Sequence, residues 1–154
     1  MDKKKKCESM FSPRKLTTAA IIYGRTHESI ATGKFQEVYD GISVSPTGLF
    51  IHPDHNFLAA SLDGKMGLDT LLEIKCPYSG REEEIDVGPH FPFLEMRDGE
   101  LALKKSHNYF YQCQGQIACS QIHPSFVVVY TCIDLFIERI DYDDDFFCSP
   151  CCHS

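Results

Sequence analysis

Three consecutive valines, Val127–Val129, flanked by Phe126 and Tyr130, constrain this chain more than any other feature. A short, uninterrupted run of β-branched and aromatic residues reads as a strand covered on both faces, because a half-exposed strand would alternate. The expectation is a buried strand over Phe126–Cys132, with the alternating segment Leu135–Ile140 as its antiparallel neighbour. Two helical patterns are available to cover it. Ala20, Gly24, Ala31 and Phe35 recur at helical intervals within 17–38, although Gly24 and Gly33 could divide that helix. Ser106 to about Ser120 reads as a second helix, with Ser106 as its cap.

Between the helices lie short strands. Ile42–Ser45 and Leu49–His52 alternate around the turn Pro46-Thr47-Gly48 and read as a hairpin. Pro53–Asn56 is a further turn before Phe57–Ser61, Asp63-Gly64 closes that segment, and Leu71–Cys76 is a strand stopped by Pro77. Residues 79–100 are charged and broken by Gly and Pro, so they read as a long exposed excursion. The order helix, strands, helix, two strands places the chain in the α/β or α+β class, a mixed sheet flanked by helices. With 154 residues, one compact domain is expected over 17–142, between a flexible basic arm at 1–16 and a Cys-rich tail at 143–154.

No apolar run approaches the roughly 20 residues that cross a bilayer, and Lys3–Lys6 is not followed by the apolar segment of a secretory signal. An intracellular protein with no membrane partner is expected, nuclear in a eukaryotic host, where Lys3–Lys6 would suit nuclear entry, and cytoplasmic otherwise. On that footing the eight cysteines should be reduced, several of them packing as small hydrophobes. Net charge is −7, yet the acidity is local: 134–145 holds six acids and one base, and 82–100 is similarly acidic. The distribution permits an anionic partner without demanding one.

The residues that could carry chemistry are Asp63 and, ten to twelve positions on, Glu73, Ile74 and Lys75. Alternation puts Glu73 and Lys75 on one strand face and Leu72 and Ile74 on the other. Asp63, before a glycine, could converge on Glu73. Two carboxylates offer hard oxygens to Mg²⁺, and an adjacent lysine can stabilise developing phosphate charge. The same residues also suit a surface hairpin with a solvated Glu–Lys pair.

The stretch Gly48–Pro53, Leu58–Gly64 and Leu72–Pro77 resembles the YqaJ-type viral recombinase domain, which is related to phage lambda exonuclease within the PD-(D/E)xK nucleases. Tyr111–Gln116 is similar to that family's glutamine-rich helix, and Gly24–Ala31 to its upstream helix. The resemblance implies a restriction-endonuclease-like core and a DNA exonuclease that degrades duplex DNA from a 5′ end, linked to recombination or repair. It implies Mg²⁺, or Mn²⁺ in its place, held by Asp63, Glu73 and the Ile74 carbonyl. Lys75 would act on the attacking water, Glu28 would join the same site, and Gln112 would orient it. Gln116 shares the Gln112 face, while Gln114 points elsewhere. Double-stranded DNA ends are the implied partner, and a ring-like homo-oligomer the implied assembly. Arg14 and Arg25 are the candidates for gripping a 5′ phosphate. Leu62 stands where proline is usual, and no C-terminal helix is expected after Tyr142. A shortened, inactive DNA-end-binding module of the same fold is the alternative. Cys148 and Cys151, with Cys152 and His153, have the spacing of half a zinc site, for which His52 and His55 could supply the other half, although a second well-spaced pair is missing.

Overall fold

The computed structural model describes residues 18–148. The basic arm with Lys3–Lys6 and Arg14, and Cys151, Cys152 and His153 of the zinc half-site, lie outside the described residues.

The valine run occupies the place its composition requires. Strand β8 (Ser125–Tyr130) lies between β5 (Thr70–Lys75) and β9 (Leu135–Ile140), parallel to the first and antiparallel to the second. With β4 (Gly64–Met66) and β1 (Val44–Ser45) they form a five-stranded mixed sheet in the order β1-β4-β5-β8-β9. Val127, Val128 and Val129 are all fully buried, and their side chains divide between two layers. Val128 packs with Leu72, Ile74 and Met66 against Ala31 and Phe35 of helix α1 (Ala19–Val38). Val127 and Val129 pack on the other face with Phe110 and Cys113 of helix α2 (Asn108–Ser120).

Helix α1 begins at Thr18, whose side chain accepts from the Ile21 amide, and runs unbroken through Gly24 and Gly33. Those glycines cost helix propensity, and the burial of Ala31 and Phe35 on one stripe outweighs that cost. Helix α2 starts one residue later than expected. Its cap is His107, whose Nδ1 accepts from the Tyr109 amide at 3.1 Å, and Ser106 does not serve. A short helix α3 (Asp144–Cys148) follows Tyr142, where none was expected.

Three strand readings are corrected. Ile42–Ser45 and Leu49–His52 do not form a hairpin: β1 pairs with β4, while β2 (Leu49–Ile51) pairs with β3 (Ala59–Ser61) across the Pro53–Asn56 turn. Gly64 does not close a segment but opens β4. A Cβ there would stand 2.6 Å from Val44 Cγ1, so glycine is required by the close approach of β1. Finally, 79–100 is not an exposed excursion. Ile85, Phe91, Phe93 and Leu94 are buried, and β6 (Leu94–Arg97) with β7 (Glu100–Leu103) forms a hairpin on the α2 side of the sheet. The charges misled because they point outward from a segment that inserts its aromatic residues into the core.

The acidic stretch 134–145 is largely occupied internally. Asp134 accepts from the Ile85 and Leu135 amides, Glu138 from the Leu103 amide, and Asp141 and Asp143 pair with Arg139 and Lys105. Among the described residues no helix is long and apolar enough to cross a membrane.

Candidate active site

Strand β5 carries the site because alternation gives its two faces different duties. Leu72 and Ile74 go to the α1 layer, and Glu73 and Lys75 meet the α2 layer. Glu73 is 3% exposed and fully engaged. Its Oε1 accepts from Lys75 Nζ at 2.5 Å and from Gln112 Nε2 at 2.6 Å, and its Oε2 accepts from Gln116 Nε2 at 2.6 Å. Gln112 Oε1 in turn accepts from Lys75 Nζ at 2.9 Å, which closes a triangle of Glu73, Lys75 and Gln112. The ammonium also lies 4.6 Å from the centroid of the Tyr109 ring, a cation–π distance.

The helical spacing of Gln112 and Gln116 brings both amides to one carboxylate. Gln114 faces away, donating to the Asp141 carbonyl and accepting from the Asp143 amide. Gln116 also donates to the Ser61 carbonyl at 2.9 Å, tying the end of β3 to β5, and its own Oε1 is buried with no hydrogen-bond partner.

Asp63 stands where β4 begins to pair with β5. Its Oδ2 accepts from the Ile74 amide at 2.7 Å. In an extended strand the N–H and C=O of one residue face the same edge. The Ile74 carbonyl therefore faces the edge where Asp63 sits and where β4 pairing has ended. Leu62, the residue before it, is buried against Leu71 and Ile117, so a leucine anchors this turn through packing.

Glu28 reaches the same region from α1. Its proton affinity is raised, first by partial burial and then by the negative charge of Asp63, while Arg25 and Lys75 oppose the shift. Glu73 is raised too, chiefly by burial, with Asp63 adding repulsion and Lys75 and Gln116 countering it. Asp63 and Lys75 thus lie within electrostatic reach of both Glu28 and Glu73. Those two glutamates hold their protons more tightly, a condition that a bound cation relieves. Glu28, Asp63, Glu73, Ile74, Lys75 and Gln112 are brought to one end of the sheet. Arg25 is one turn from Glu28 on α1.

Sequence reasoning passed over Tyr109, which covers the Lys75 ammonium, and Cys76, which follows it. Burial and the charges of Glu28 and Asp63 push the Cys76 thiol up to about 12, and burial pushes Cys113 up to about 12 as well. A thiol raised this far holds almost no thiolate at mildly alkaline pH, and the thiolate is the reactive form. Alkylation under those conditions should therefore label exposed Cys132 well before Cys76 or Cys113, read by peptide mass mapping. Cys76, Cys113, Cys119 and Cys132 are all free thiols.

Among the described residues no three His, Cys, Asp or Glu side chains converge to hold a metal by themselves. The donor set still fits a hard dication. Mg²⁺ is commonly held by only one or two carboxylates and completes its shell with water and substrate phosphate. Asp63 and Glu73 supply those carboxylates, and the Ile74 carbonyl supplies a further hard oxygen. A cavity of about 510 Å³ lined by Arg97, Lys105, Glu138 and neighbouring residues includes none of this cluster.

A family model described as the YqaJ-like viral recombinase domain matches residues 1–123. An uncharacterised protein of Acanthamoeba polyphaga mimivirus is 28% identical over 110 residues, covering 61% of this chain and 20% of that protein. The crystal structure of an alkaline exonuclease, LHK-Exo, from Laribacter hongkongensis is similar at 26% identity with a TM-score of 0.61, over 85% of this chain and 62% of that one. LHK-Exo in complex with dAMP is similar in fold at 24% identity and a TM-score of 0.65, over 92% of this chain and 68% of that one. The chain thus spans about a fifth of the mimivirus protein and less than two thirds of the first of these structures.

Proposed function

Because this chain belongs to the YqaJ-like viral recombinase domain family, we propose that it is a divalent-metal-dependent exonuclease. It hydrolyses phosphodiester bonds at the ends of duplex DNA, in the 5′ to 3′ direction, in intracellular recombination or repair. The PD-(D/E)xK designation belongs to the same reading. The observation that carries it is the closed Glu73–Lys75–Gln112 triangle beside Asp63, because a solvated Glu–Lys pair on a surface strand would not be buried under two glutamines. A structural neighbour, LHK-Exo, is an alkaline exonuclease, which supports the same activity.

Asp63, Glu73 and the Ile74 carbonyl are the groups that would hold Mg²⁺ or Mn²⁺. The bound cation supplies charge neutralisation at the phosphate and lowers the pKa of water. The chain does the rest. Gln112 holds Lys75 and Glu73 together, so the ammonium is fixed in place before substrate arrives. Lys75 then orients the attacking water and faces the negative charge that develops on the phosphate, without reorganising to do so. Gln116 pins the second oxygen of Glu73, and Glu28 adds a third carboxylate on the α1 side. Asp63, Glu73 and Lys75 are all present in the sequence, which favours an enzyme over an inactive DNA-end-binding module.

The test is cleavage of linear 5′-phosphorylated duplex DNA against a covalently closed circle, with Mg²⁺ and with chelator. Degradation of the linear form alone, abolished by chelator and restored by Mg²⁺ or Mn²⁺, is expected. Binding of ends without cleavage under any metal would favour the inactive module. A homo-oligomer is part of this proposal, supported by exposed Leu49, Ile51, Phe57 and Leu58 along the β2–β3 hairpin. Gel filtration should show a species larger than the 17.5 kDa monomer, and a monomer with and without DNA would remove the assembly.

A further inference from the structure

Beside the acidic site, at the same carboxyl end of β5 and β8, stands a cluster of rings with one guanidinium. Tyr23 and His27 stack on α1 with centroids 3.8 Å apart, and Tyr23 meets Tyr78 edge-on at 5.7 Å. Tyr130, at the end of β8, lies 6.3 Å from His27. The Arg81 guanidinium lies 4.2 Å from the Tyr78 ring centroid and donates to the Tyr78 carbonyl at 2.8 Å. The Arg81 carbonyl accepts from the Cys132 amide at 2.7 Å, which ties this loop to the sheet. Tyr78 is 38% exposed despite these neighbours, so part of an aromatic ring is presented to solvent on a rigid base.

The cluster adjoins the site. Tyr78 follows Lys75 by three residues, at most about 11 Å of extended chain. Tyr23 precedes Glu28 by five residues, about 7.5 Å along the helix axis. Successive bases on one strand rise by about 3.4 Å, which puts Tyr78 within about three nucleotides of a phosphate at Lys75.

We propose that Tyr78 and Arg81 form a nucleobase-stacking subsite for the substrate strand, buttressed by Tyr23 and His27. This rests on the deoxyribonuclease reading and names what that site does with the bases beside the scissile phosphate. An aromatic face and a stacked guanidinium accept any base, because every base has a π-face. The subsite therefore holds the strand without selecting sequence. Packing alone would account for the Tyr23–His27 stack, but it leaves the exposed ring of Tyr78 and its fixed guanidinium without a task.

The test uses the full chain in chelator, with duplex DNA whose terminal 5′ nucleotides carry 2-aminopurine or are abasic. The parent protein should quench the 2-aminopurine and bind the abasic end roughly 5- to 150-fold more weakly than the normal end, the range of one stacked base. Tyr78→Phe should keep both effects, and Tyr78→Ala should lose the quench and bind the two ends alike. The comparison of ends on the parent protein needs no variant to fold. Equal parental affinity for normal and abasic ends, or undiminished discrimination by Tyr78→Ala, would overturn the subsite while leaving the nuclease reading in place. A parent that neither binds nor cuts DNA would overturn that reading, and the subsite with it.

Discussion

Replacing Lys75 by alanine should slow DNA hydrolysis by about 10²–10³, the usual cost of deleting one preorganised electrostatic donor. The ammonium is held by Glu73, Gln112 and the face of Tyr109, so its position is set without substrate. The variant should fold. Breaking a buried ion pair costs about 3–5 kcal/mol when the surviving charge is stranded, but Gln112 and Gln116 would still donate to Glu73, so the loss should be smaller. Cation binding should suffer in one specific way. Lys75 is the largest influence opposing the burial of Glu73, and its loss raises that carboxyl's proton affinity further. A proton competes with a cation for the same oxygens, so cation affinity in the variant should fall off at higher pH than in the parent as the solution is acidified. Single-turnover cleavage at saturating Mg²⁺, with thermal melting as the folding control, separates these effects. Cleavage at the parental rate would return the Glu73–Lys75 pair to a structural role.

Asp63→Asn should weaken Mg²⁺ or Mn²⁺ binding by more than the roughly 10–100-fold that loss of an outer partner costs at a metal site, while leaving the fold intact. The separation is possible because Asp63 does two things. One oxygen accepts from the Ile74 amide, and an asparagine carbonyl can still accept that bond. The negative charge has no replacement. Calorimetric titration with the cation should show the loss, and the melting temperature should stay near the parent's. A second readout follows from sign alone. The Asp63 charge raises the proton affinity of Glu28 and Glu73, so in cation-free protein the variant should move both carboxyls down towards the ordinary range. Carboxyl NMR titration measures that shift. Unchanged cation affinity would remove Asp63 from the ligand set.

Much of this was legible along the chain because the signals are local. Val127–Val129 demanded cover on both faces, and both faces are covered. Alternation placed Glu73 and Lys75 together, and helical spacing placed Gln112 with Gln116 and turned Gln114 away, because a side chain's direction depends only on its position in the element. The mixed sheet flanked by helices followed from the order of those elements.

Pairing partners were not legible in the same way. Val44–Ser45 and Leu49–Ile51 are separated by a good turn sequence, yet each pairs with a more distant strand. A turn determines that the chain reverses, whereas the partner is chosen by which faces can be buried, a property of the whole sheet. The same limit misplaced residues 79–100. Local charge marked the segment as exposed, and only the space beneath α2 and β8 drew Phe91, Phe93 and Leu94 inward. At the site, the sequence by itself determined which side chains of β5 and α2 share a face. That Gln112, Gln116 and Lys75 all meet on Glu73, with Asp63 bound to the next residue's amide, was decided by the tertiary structure. Burying a carboxylate costs too much unless several distant donors reach it together, and no local pattern records where those donors come from.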